Sequence, residues 1–313
     1  MNPETDYASP SPSCKAIGAD AGGTKLALAF TDGIRTWHAH YPSVNLRTVS
    51  PHHFAQQVGE HIMQAVAPMP LDQDVHLCIG AAGAGTEAVA AASAEALSSF
   101  LRIPARQIKV ISDARIALES AFPSNPGILV IVGTGSGCYG LDERGRLLRA
   151  GGWGPELGDP GSGTELGRAA VRQLLVDLER NDTGEFSMGI AAAMGMDTPT
   201  IARVLDTYYA AEFRPSTLAP IVMDLFEAGD EAATALVGAA CHELAAQCAR
   251  LATHLPEGTS TRTVLAGGLS KRNSYLGAFS AALSTCMPGV SVESMTRAPV
   301  DGALSYAMAM REA

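Results

Sequence analysis

Two glycine-rich turns that carry hydroxyl side chains are the feature that most constrains this chain. The first covers residues 19–25, Ala-Asp-Ala-Gly-Gly-Thr-Lys, and the second covers residues 133–137, Gly-Thr-Gly-Ser-Gly. Each lies between short apolar runs, so both are predicted to be hairpin turns between strands. Glycines let backbone N–H groups approach an anion, and Thr or Ser hydroxyls add donors. The pair therefore predicts a duplicated fold that grips one polyphosphate from both sides.

Neither turn fits the common nucleotide-binding motifs. A P-loop requires G-x-x-x-x-G-K-[ST], and a Rossmann fingerprint requires G-x-G-x-x-G at the start of a helix. The second turn begins with Gly-Thr-Gly but leads into a strand-like segment. For either turn alone, a glycine-rich hairpin without a ligand is the alternative. The occurrence of two, with Asp20 in the first, favours phosphate binding.

Composition limits the classes of protein to which the chain can belong. Its 313 residues suffice for two domains, and 47% hydrophobic with 17% charged residues is typical of a globular protein. A formal charge of −10 without a Lys/Arg run argues against a nucleic-acid partner. No apolar run approaches membrane-spanning length, and the six scattered cysteines predict reduced, mostly buried thiols. Residues 1–14 are predicted to be a flexible tail rather than a signal peptide, which indicates a cytoplasmic protein.

The spacing of apolar residues predicts the same order of elements twice. The first block contains three strands, a helix, a strand, a helix and a strand, at 15–20, 26–30, 35–41, 54–66, 75–80, 88–101 and 108–111. The second contains three strands, a helix that begins near 163, three more helices, a strand and a final α/β unit, with the strands at 128–133, 137–141, 146–150 and 263–266 and the later helices at 199–211, 217–228 and 231–254. Ser162 and Glu165 have capping-box spacing, which sets the start of the helix near 163. This repetition predicts an α/β duplication with a cleft between its halves.

Five motifs together resemble a known family: residues 20–25, 133–136, 151–163, 265–269 and 301–304. The chain is similar to the BadF/BadG-type ATPases and their N-acetylglucosamine kinase branch, within the superfamily of actin, hexokinase and the heat-shock chaperone ATPases. The resemblance implies two ribonuclease H-like (actin-like ATPase) domains, each with a βββαβαβα core, around a cleft. One domain would comprise 15–122 plus 300–313 and the other 123–299.

The resemblance and the chemistry of phosphate together predict an ATP site that uses magnesium. Asp20, at the end of the first strand, is expected to hold the hydrated Mg²⁺ that bridges the phosphates. The turns expected to contact ATP contain Gly22, Gly23, Thr24, Lys25, Gly133, Thr134, Gly135, Ser136, Gly267 and Gly268. Lys25 is equally well explained as a solvated hairpin lysine. Without the other motifs, Gly267 and Gly268 would suggest only a tight turn between a strand and a helix.

A kinase that phosphorylates a sugar hydroxyl needs a carboxylate base, and Asp113 is the candidate. Its position alone is equally consistent with a helix cap, but the family's Ser/Thr-Asp-Ala element matches residues 112–114 and implies the base. Asp159 follows as a sugar-hydroxyl ligand, since Ser162 already provides the nearby cap. Asn45 matches the family's substrate asparagine, although an isolated loop Asn is more often a turn residue. Gly152 and Trp153 are expected to wall the sugar site; simple packing is the alternative for Trp153.

The expected activity is phosphorylation of N-acetylglucosamine at its 6-hydroxyl, with glucosamine kinase as the nearest alternative. Pro160 stands where the family commonly has Glu or Gln, so one polar contact to the sugar or the loop is missing. Two other classes are compared with this one. An ATP-driven activator of a 2-hydroxyacyl-CoA dehydratase needs closely placed ligand cysteines, and only Cys138 lies near a turn. A repressor needs a DNA-binding segment before the kinase fold. The resemblance also implies a homodimer.

Overall fold

The chain divides into two compact units, which are described separately. The computed structural model describes residues 13–22, 25–67, 69–123, 126–259 and 262–312. The first unit comprises Met1–Ser124 with Thr296–Ala313, and the second comprises Asn125–Met295. The sequence prediction placed the boundaries after residue 122 and before residue 300. Within the described ranges, no helix combines the length and apolar character that a membrane crossing requires.

The first unit is built on a five-stranded sheet in the order β3-β2-β1-β4-β5. Its elements are β1 (Cys14–Ala21), β2 (Lys25–Thr31), β3 (Thr36–Pro42), α1 (Pro51–Val66), β4 (Leu71–Ala81), α2 (Glu87–Leu101), β5 (Ile108–Ser112) and α3 (Asp113–Ala121). β2 pairs with β1 and β3 in antiparallel fashion, whereas β4 runs parallel to β1 and β5. β1 begins at Cys14, which was predicted to belong to the tail. Cys14 is fully buried, so it forms part of the core.

The second unit has a five-stranded sheet in the order β10-β9-β6-β7-β8. Its elements are β6 (Ile128–Val132), β7 (Ser136–Leu141), β8 (Leu147–Gly151), α4 (Gly163–Arg180), α5 (Glu185–Ala193), α6 (Ile201–Tyr208), α7 (Ala219–Glu227), α8 (Glu231–Ala252), β9 (Arg262–Ala266), α9 (Asn273–Cys286) and β10 (Ser291–Ser294). The short helix α5 was not predicted. It follows Gly184, a residue that caps the helix without a side-chain hydrogen bond, so the usual N-terminal signal is missing.

The two sheets have the same topology, as the sequence repeat predicted. Reading β6, β7, β8, β9 and β10 in place of β1 to β5 converts the order of the first sheet into that of the second. In both sheets the first three strands are antiparallel neighbours and the fourth pairs parallel with the first. The two glycine-rich turns therefore occupy equivalent places, between β1 and β2 and between β6 and β7. The prediction that both are hairpin turns is confirmed for the second, and the strands that flank the first form the expected hairpin.

The last helix of the chain, α10 (Pro299–Glu312), packs on the first unit. Gly18 in β1 permits this contact, because a Cβ at that position would stand 2.2 Å from the backbone nitrogen of Leu304. Gly302 makes the reverse approach, since its Cβ would stand 2.2 Å from the carbonyl oxygen of Ile116 in α3. A buried apolar cluster joins β1, β4, α3 and α10. The first unit is therefore completed by residues from the end of the chain.

The cysteines are part of the two hydrophobic cores. Five of the six are buried, Cys286 is partly buried, and none forms a disulfide. Cys138 and Cys248 are fully buried in the core of the second unit. The prediction of reduced and mostly buried thiols is confirmed.

Candidate functional site

The turn between β1 and β2 is closed by its own backbone. The N–H of Gly22 donates to the carbonyl oxygen of Lys25 at 3.1 Å, and the Lys25 side chain is exposed. Gly23 and Thr24, both predicted to contact ATP, lie outside the described residues. The Ser43 hydroxyl donates to the Gly22 carbonyl oxygen at 2.7 Å. The segment that follows β3 is thus tied to the first glycine-rich turn.

Asp20 and Asp113 interact electrostatically at one edge of the first sheet. Strands β1, β4 and β5 are parallel, and Ala21 pairs with Ala81, which pairs with Ser112. Their carboxyl ends therefore lie at the same edge. Burial, with a smaller contribution from the negative charge of Asp113, raises the pKa of Asp20 from 3.8 to about 6. The positive charge of Lys25 acts in the opposite direction.

Asp113 is exposed at the first position of α3, and it is not the residue that caps this helix. The cap is Ser112, whose hydroxyl accepts a hydrogen bond from the N–H of Arg115 at 3.2 Å. One Asp113 oxygen accepts from the adjacent N–H of Ala114 at 2.9 Å. Ser112 therefore already performs the capping role that was the alternative explanation for Asp113.

A magnesium ion fits the pair of carboxylates in chemistry. No three side chains of His, Cys, Asp or Glu converge within the described ranges, so no all-protein metal cage occurs there. Mg²⁺ characteristically takes one or two carboxylates and completes its shell with water and substrate phosphates. Asp20 is a partly buried carboxylate whose charged form is disfavoured by burial and by Asp113, and a cation beside it would relieve both effects.

Asn45 has its side-chain oxygen engaged in a local turn. Its Oδ1 accepts from the N–H of Arg47 at 2.9 Å, and its carbonyl oxygen accepts from the N–H of Thr48 at 3.0 Å. These are the contacts of a turn-forming Asn, the alternative considered above. No hydrogen bond involves the Asn45 side-chain nitrogen in the part of the chain described. A role in binding would therefore use that amide group as a donor.

The turn between β6 and β7 is held by the start of α4. The N–H of Gly163 donates to the carbonyl oxygen of Gly133 at 2.7 Å. The Thr164 hydroxyl donates to the carbonyl oxygen of Thr134 at 2.7 Å. Ser162 caps α4 by accepting from the N–H of Glu165 at 3.2 Å, as its spacing predicted. The second glycine-rich turn is thus fixed to a capped helix.

The two hydroxyl residues of this turn lie in different environments. Thr134 is exposed, whereas Ser136 is buried and its hydroxyl donates to the carbonyl oxygen of Pro160 at 2.6 Å. A hydroxyl has one proton to donate, so the Ser136 donor is already used. Thr134 is the residue of this turn whose hydroxyl remains exposed for a ligand.

Asp159 lies against the second glycine-rich turn. It is buried, with a left-handed backbone at φ 68°, and one carboxylate oxygen accepts from the N–H of Gly154 at 3.4 Å. Burial raises the pKa of the Asp159 carboxyl above its usual range, against the effect of hydrogen bonds from the Gly154 and Ser136 backbone. Asp159 lies beside Gly135. Asp159 was predicted to bind the sugar, whereas Gly135 was predicted to contact ATP.

The other predicted sugar residues are in the loop between β8 and α4. Trp153 is 62% exposed, and a Cβ at Gly158 would stand 3.4 Å from its ring. Gly152 has a φ of 67°, a conformation that favours glycine. Most of the Trp153 side chain is thus exposed, and the described part of its packing is against Gly158.

A cavity of about 350 Å³ in the second unit brings the second glycine-rich turn together with Gly268, which was also predicted to contact ATP. Its lining consists of Gly133, Thr134, Gly163, Ser216, Ala219, Pro220, Met223, Gly268, Leu269 and Arg272. Gly267 has φ 110°, and a Cβ there would stand 2.2 Å from the carbonyl oxygen of Val132. The strand-to-turn junction therefore requires glycine. The volume falls within the range of small-molecule sites.

Seven of the ten lining residues were not predicted to contact a ligand, although Gly163 and Leu269 lie within the motifs that carry the family resemblance. Residues Ser216, Ala219, Pro220, Met223 and Arg272 were assigned no function, although 217–228 was predicted to be helical. A signal was present, because Ala219, Pro220 and Met223 place small and apolar side chains on one face at the start of α7. Such a face also occurs on any packed helix, so the sequence alone could not identify a ligand.

The described residues predicted for the site form two groups. Asp20, Gly22, Lys25, Asn45 and Asp113 belong to the first unit. The residues in the second unit are Gly133, Thr134, Gly135, Ser136, Gly152, Trp153, Asp159, Gly267 and Gly268. Within the first group the sheet edge unites Asp20 with Asp113, and within the second the cavity unites Gly133 and Thr134 with Gly268.

Comparison with known proteins identifies the relatives of this chain. A profile of the BadF/BadG/BcrA/BcrD ATPase family matches residues 17–308. The N-acetylmuramic acid/N-acetylglucosamine kinase of Clostridium acetobutylicum is 31% identical over 168 residues, 52% of this chain and 54% of that kinase. The N-acetyl-D-glucosamine kinase of Dictyostelium discoideum is 29% identical over 175 residues, 51% of this chain and 53% of that kinase. The match thus spans about half the length of each of these relatives.

A solved structure supports the fold across nearly the whole chain. The crystal structure of a candidate N-acetylglucosamine kinase from Chromobacterium violaceum superimposes with a TM-score of 0.68 at 22% identity. It covers 95% of this chain and 99% of that one. The predicted fold class, two actin-like ATPase domains of α/β type, is confirmed.

Proposed function

The chain belongs to the BadF/BadG/BcrA/BcrD ATPase family, and we propose that it transfers the terminal phosphate of ATP to a hydroxyl group of an amino sugar. The preferred substrate is N-acetylglucosamine, and the product is N-acetylglucosamine 6-phosphate. The names of the two partial relatives support this substrate class. The observation that carries the proposal is the electrostatic pair of Asp20 and Asp113, because phosphoryl transfer to a hydroxyl needs both charge neutralisation and a base.

Asp113 acts as the base in this proposal. Its exposed carboxylate takes the proton of the sugar 6-hydroxyl while the hydroxyl oxygen attacks the γ-phosphorus of ATP. The bond from the γ-phosphorus to the bridging oxygen breaks, and ADP leaves. Ser112 already caps α3, so Asp113 is not needed for that purpose. Positioning and electrostatic stabilisation together account for most of the rate enhancement in phosphoryl transfer.

The nucleotide is held by the second unit in this proposal. The cavity beside Gly133, Thr134 and Gly268 takes the nucleoside, and the exposed Thr134 hydroxyl donates to phosphate. Mg²⁺ bound beside Asp20 would neutralise phosphate charge during transfer. Asp20 would hold it through the carboxylate, and Lys25 would add a positive charge in the same region.

Sugar recognition is assigned to Asn45, Gly152, Trp153 and Asp159. The amide of Asn45 can donate to a sugar hydroxyl, whereas an ionised Asp159 can only accept from one. The exposed indole of Trp153 offers an apolar surface to a sugar ring. Pro160 offers no polar side chain to the sugar. An assay must therefore distinguish among sugars that carry an acetamido group, a free amine or a lactyl substituent.

The test is a coupled assay of ADP release with N-acetylglucosamine, glucosamine, N-acetylmuramic acid and glucose. The phosphorylated position is then identified by nuclear magnetic resonance of the product. We expect N-acetylglucosamine to have the highest kcat/KM. Turnover of none of the four would reject the proposal. The dehydratase activator is the competing function, but full burial of Cys138 counts against its exposure to a cluster at a surface.

A further inference from the structure

One residue of the nucleotide cavity, Arg272, joins two of its walls. One wall is the start of α7, with Ala219, Pro220 and Met223, and the other is the turn after β9, with Gly268 and Leu269. Arg272 follows that turn, and its Nη1 lies 2.6 Å from Oδ1 of Asp224 and 3.0 Å from Oε2 of Glu227. Both carboxylates are on α7. The guanidinium therefore connects the turn to the helix that faces it.

The carboxylates are themselves held in place. The Ser274 hydroxyl donates to Oε1 of Glu227 at 2.6 Å, so α9 also contacts α7 here. This hydrogen bond and Arg272 both hold the pKa of Glu227 below its usual range, which keeps the partner ionised. Nη1 of Arg272 makes both ion pairs, and the other nitrogens of the guanidinium take no part in them.

The local charge argues against a phosphate-binding role for Arg272. Among the residues that line the cavity, Arg272 is the one with a charged side chain. Its single positive charge faces the two negative charges of Asp224 and Glu227, so the group is net negative. Such a group repels a polyphosphate. The remaining side chains at this end of the cavity are apolar, which suits a base.

We propose that Arg272 is a positioning residue for the nucleoside, one that sets the separation of α7 from the turn at residues 267–272 and does not bind phosphate. This inference rests on the proposed nucleotide site. The base enters between the apolar side chains of α7 and the turn backbone, and the ion pairs fix the width of that slot. Loss of the bridge would let the slot widen and weaken contact with the base.

The two roles predict different patterns of affinity. A residue that shapes the base slot affects adenosine, ADP and ATP by the same factor, because all three carry the base. A residue that binds phosphate affects ATP more than ADP and leaves adenosine nearly unchanged. For removal of Asp224, the two roles predict changes in ATP affinity of opposite sign. It would weaken a slot that depends on the bridge, but it would strengthen ATP binding if Arg272 were a phosphate ligand held back by its partner.

The experiment is isothermal titration of the full chain with adenosine, ADP and ATP. The variants are Arg272→Met, Arg272→Lys, Asp224→Asn and the double variant Arg272→Met/Asp224→Asn. We expect Arg272→Met to weaken all three ligands by about three- to tenfold, the size expected for partly exposed ion pairs. Asp224→Asn should act in the same direction, Arg272→Lys should recover part of the loss, and the double variant should be no worse than Arg272→Met alone. KM for ATP should rise with kcat and the sugar KM unchanged.

The matched control is Arg146→Met. Arg146 pairs with Asp142 through Nε at 2.7 Å in the turn between β7 and β8, and it does not line the cavity. Its affinity for all three ligands should equal that of the wild type. The inference is overturned if loss grows with the number of phosphates, if Asp224→Asn tightens ATP, or if Arg272→Met binds normally. A wild type that binds nucleotide as described but phosphorylates no sugar would refute the proposed function while supporting this inference. A wild type that binds none of the three ligands would refute both.

Discussion

The Asp159 carboxylate lies so close to Gly135 that a Cβ on Gly135 would stand 2.7 Å from its Oδ2 atom. A side chain at position 135 would therefore have to displace the Asp159 carboxylate. The turn also contacts Pro160, the residue after Asp159, because the Ser136 hydroxyl donates to the Pro160 carbonyl oxygen. Asp159 and Pro160 thus both contact the second glycine-rich turn.

Replacement of Asp159 should weaken sugar binding. Loss of a charge-assisted hydrogen bond costs about 1.5–3 kcal/mol, so Asp159→Ala should raise the sugar KM by about one to two orders of magnitude and spare the KM for ATP. Asp159→Asn separates charge from backbone, because Asn tolerates the left-handed conformation that Ala disfavours. A raised sugar KM in both variants, with lower thermal stability in the Ala variant, is the expected result. A selective rise in the KM for ATP would show that Asp159 serves the phosphate turn instead.

Replacement of Asn45 should have a smaller effect of the same kind. Its Oδ1 is already bonded to the Arg47 N–H, so Asn45→Ala removes one donor to the sugar together with a turn contact. Loss of one neutral hydrogen bond costs about 1 kcal/mol, or about fivefold in the sugar KM. Asn45→Asp keeps the turn acceptor and removes the donor. If Asn45→Asp binds sugar as well as the wild type, Asn45 is only a turn residue.

Asp113→Asn should remove the base while preserving shape. Loss of a general base lowers turnover by about a hundred- to ten-thousand-fold, and ATP affinity should remain near that of the wild type. Ser112→Ala is the control, because it removes the cap of α3 at a cost of about 1 kcal/mol but leaves the carboxylate. Steady-state kinetics and thermal unfolding of both variants test this. Near-normal turnover in Asp113→Asn would exclude it as the base.

Asp20 should make stability depend on pH. The pKa of Asp20 has its ordinary value of 3.8 in the unfolded chain and is raised to about 6 in the folded one. The folded state binds more protons between these values, so the free energy of unfolding falls as pH rises from about 4 to 6. The raised pKa of Asp20 therefore lowers the free energy of unfolding at pH 7 by about 3 kcal/mol, relative to a carboxyl group with its ordinary pKa.

Urea unfolding at pH 4 and pH 7 measures this effect. Asp20→Asn resembles the protonated residue, so it should match the wild type at pH 4 and exceed its stability at pH 7. Asp113→Asn should show a smaller gain at pH 7, because Asp113 is the lesser cause of the raised pKa of Asp20. Equal pH dependence in the wild type and Asp20→Asn would contradict the assignment. Added Mg²⁺ with ATP at pH 6 should release protons from the wild type and release fewer from Asp20→Asn.

Two adjacent glycines should respond differently to alanine. Gly267→Ala forces a Cβ to 2.2 Å from the Val132 carbonyl oxygen at a φ of 110°, so it should destabilise the protein by about 3 kcal/mol or more. Gly268→Ala meets no atom within 4 Å, and the residue lines the nucleotide cavity. It should fold with nearly wild-type stability but bind ATP about tenfold more weakly. Thermal unfolding and nucleotide titration distinguish the two, and a Gly268→Ala protein with normal ATP affinity would argue against a ligand in that cavity.

The repeat of strands and glycine-rich turns predicted the fold because its local signals agree with one another. Strands β1 and β6 are each followed by a glycine-rich turn, so strand periodicity and turn residues indicate the same hairpins. The short helix α5 was missed because Gly184 at its start provides no side-chain cap, and its apolar residues pack against neighbours distant in sequence. Local signals of this kind are weak where tertiary packing supplies the stability.

The candidate site was only partly predictable for a related reason. The glycines and carboxylates carry local signatures, but the donor of Ser136 is used by Pro160 and the walls of the nucleotide cavity come from α7 and Arg272. Hydrogen-bond partners and cavity walls depend on which distant segments meet. No spacing in the sequence encodes that the guanidinium of Arg272 reaches Asp224 on another helix.

The packing of α10 on β1 sets the order in which the two units can be completed during synthesis on the ribosome. β1 leaves the ribosome early, but the face of β1 at Gly18 cannot be covered by α10 until Leu304 has been translated, whereas every strand of the second sheet is available before α10. The second unit can therefore finish folding first, although it starts later in the chain. Until α10 has been translated, the first unit exposes the apolar face that α10 covers, and transiently exposed apolar surface of this kind favours aggregation.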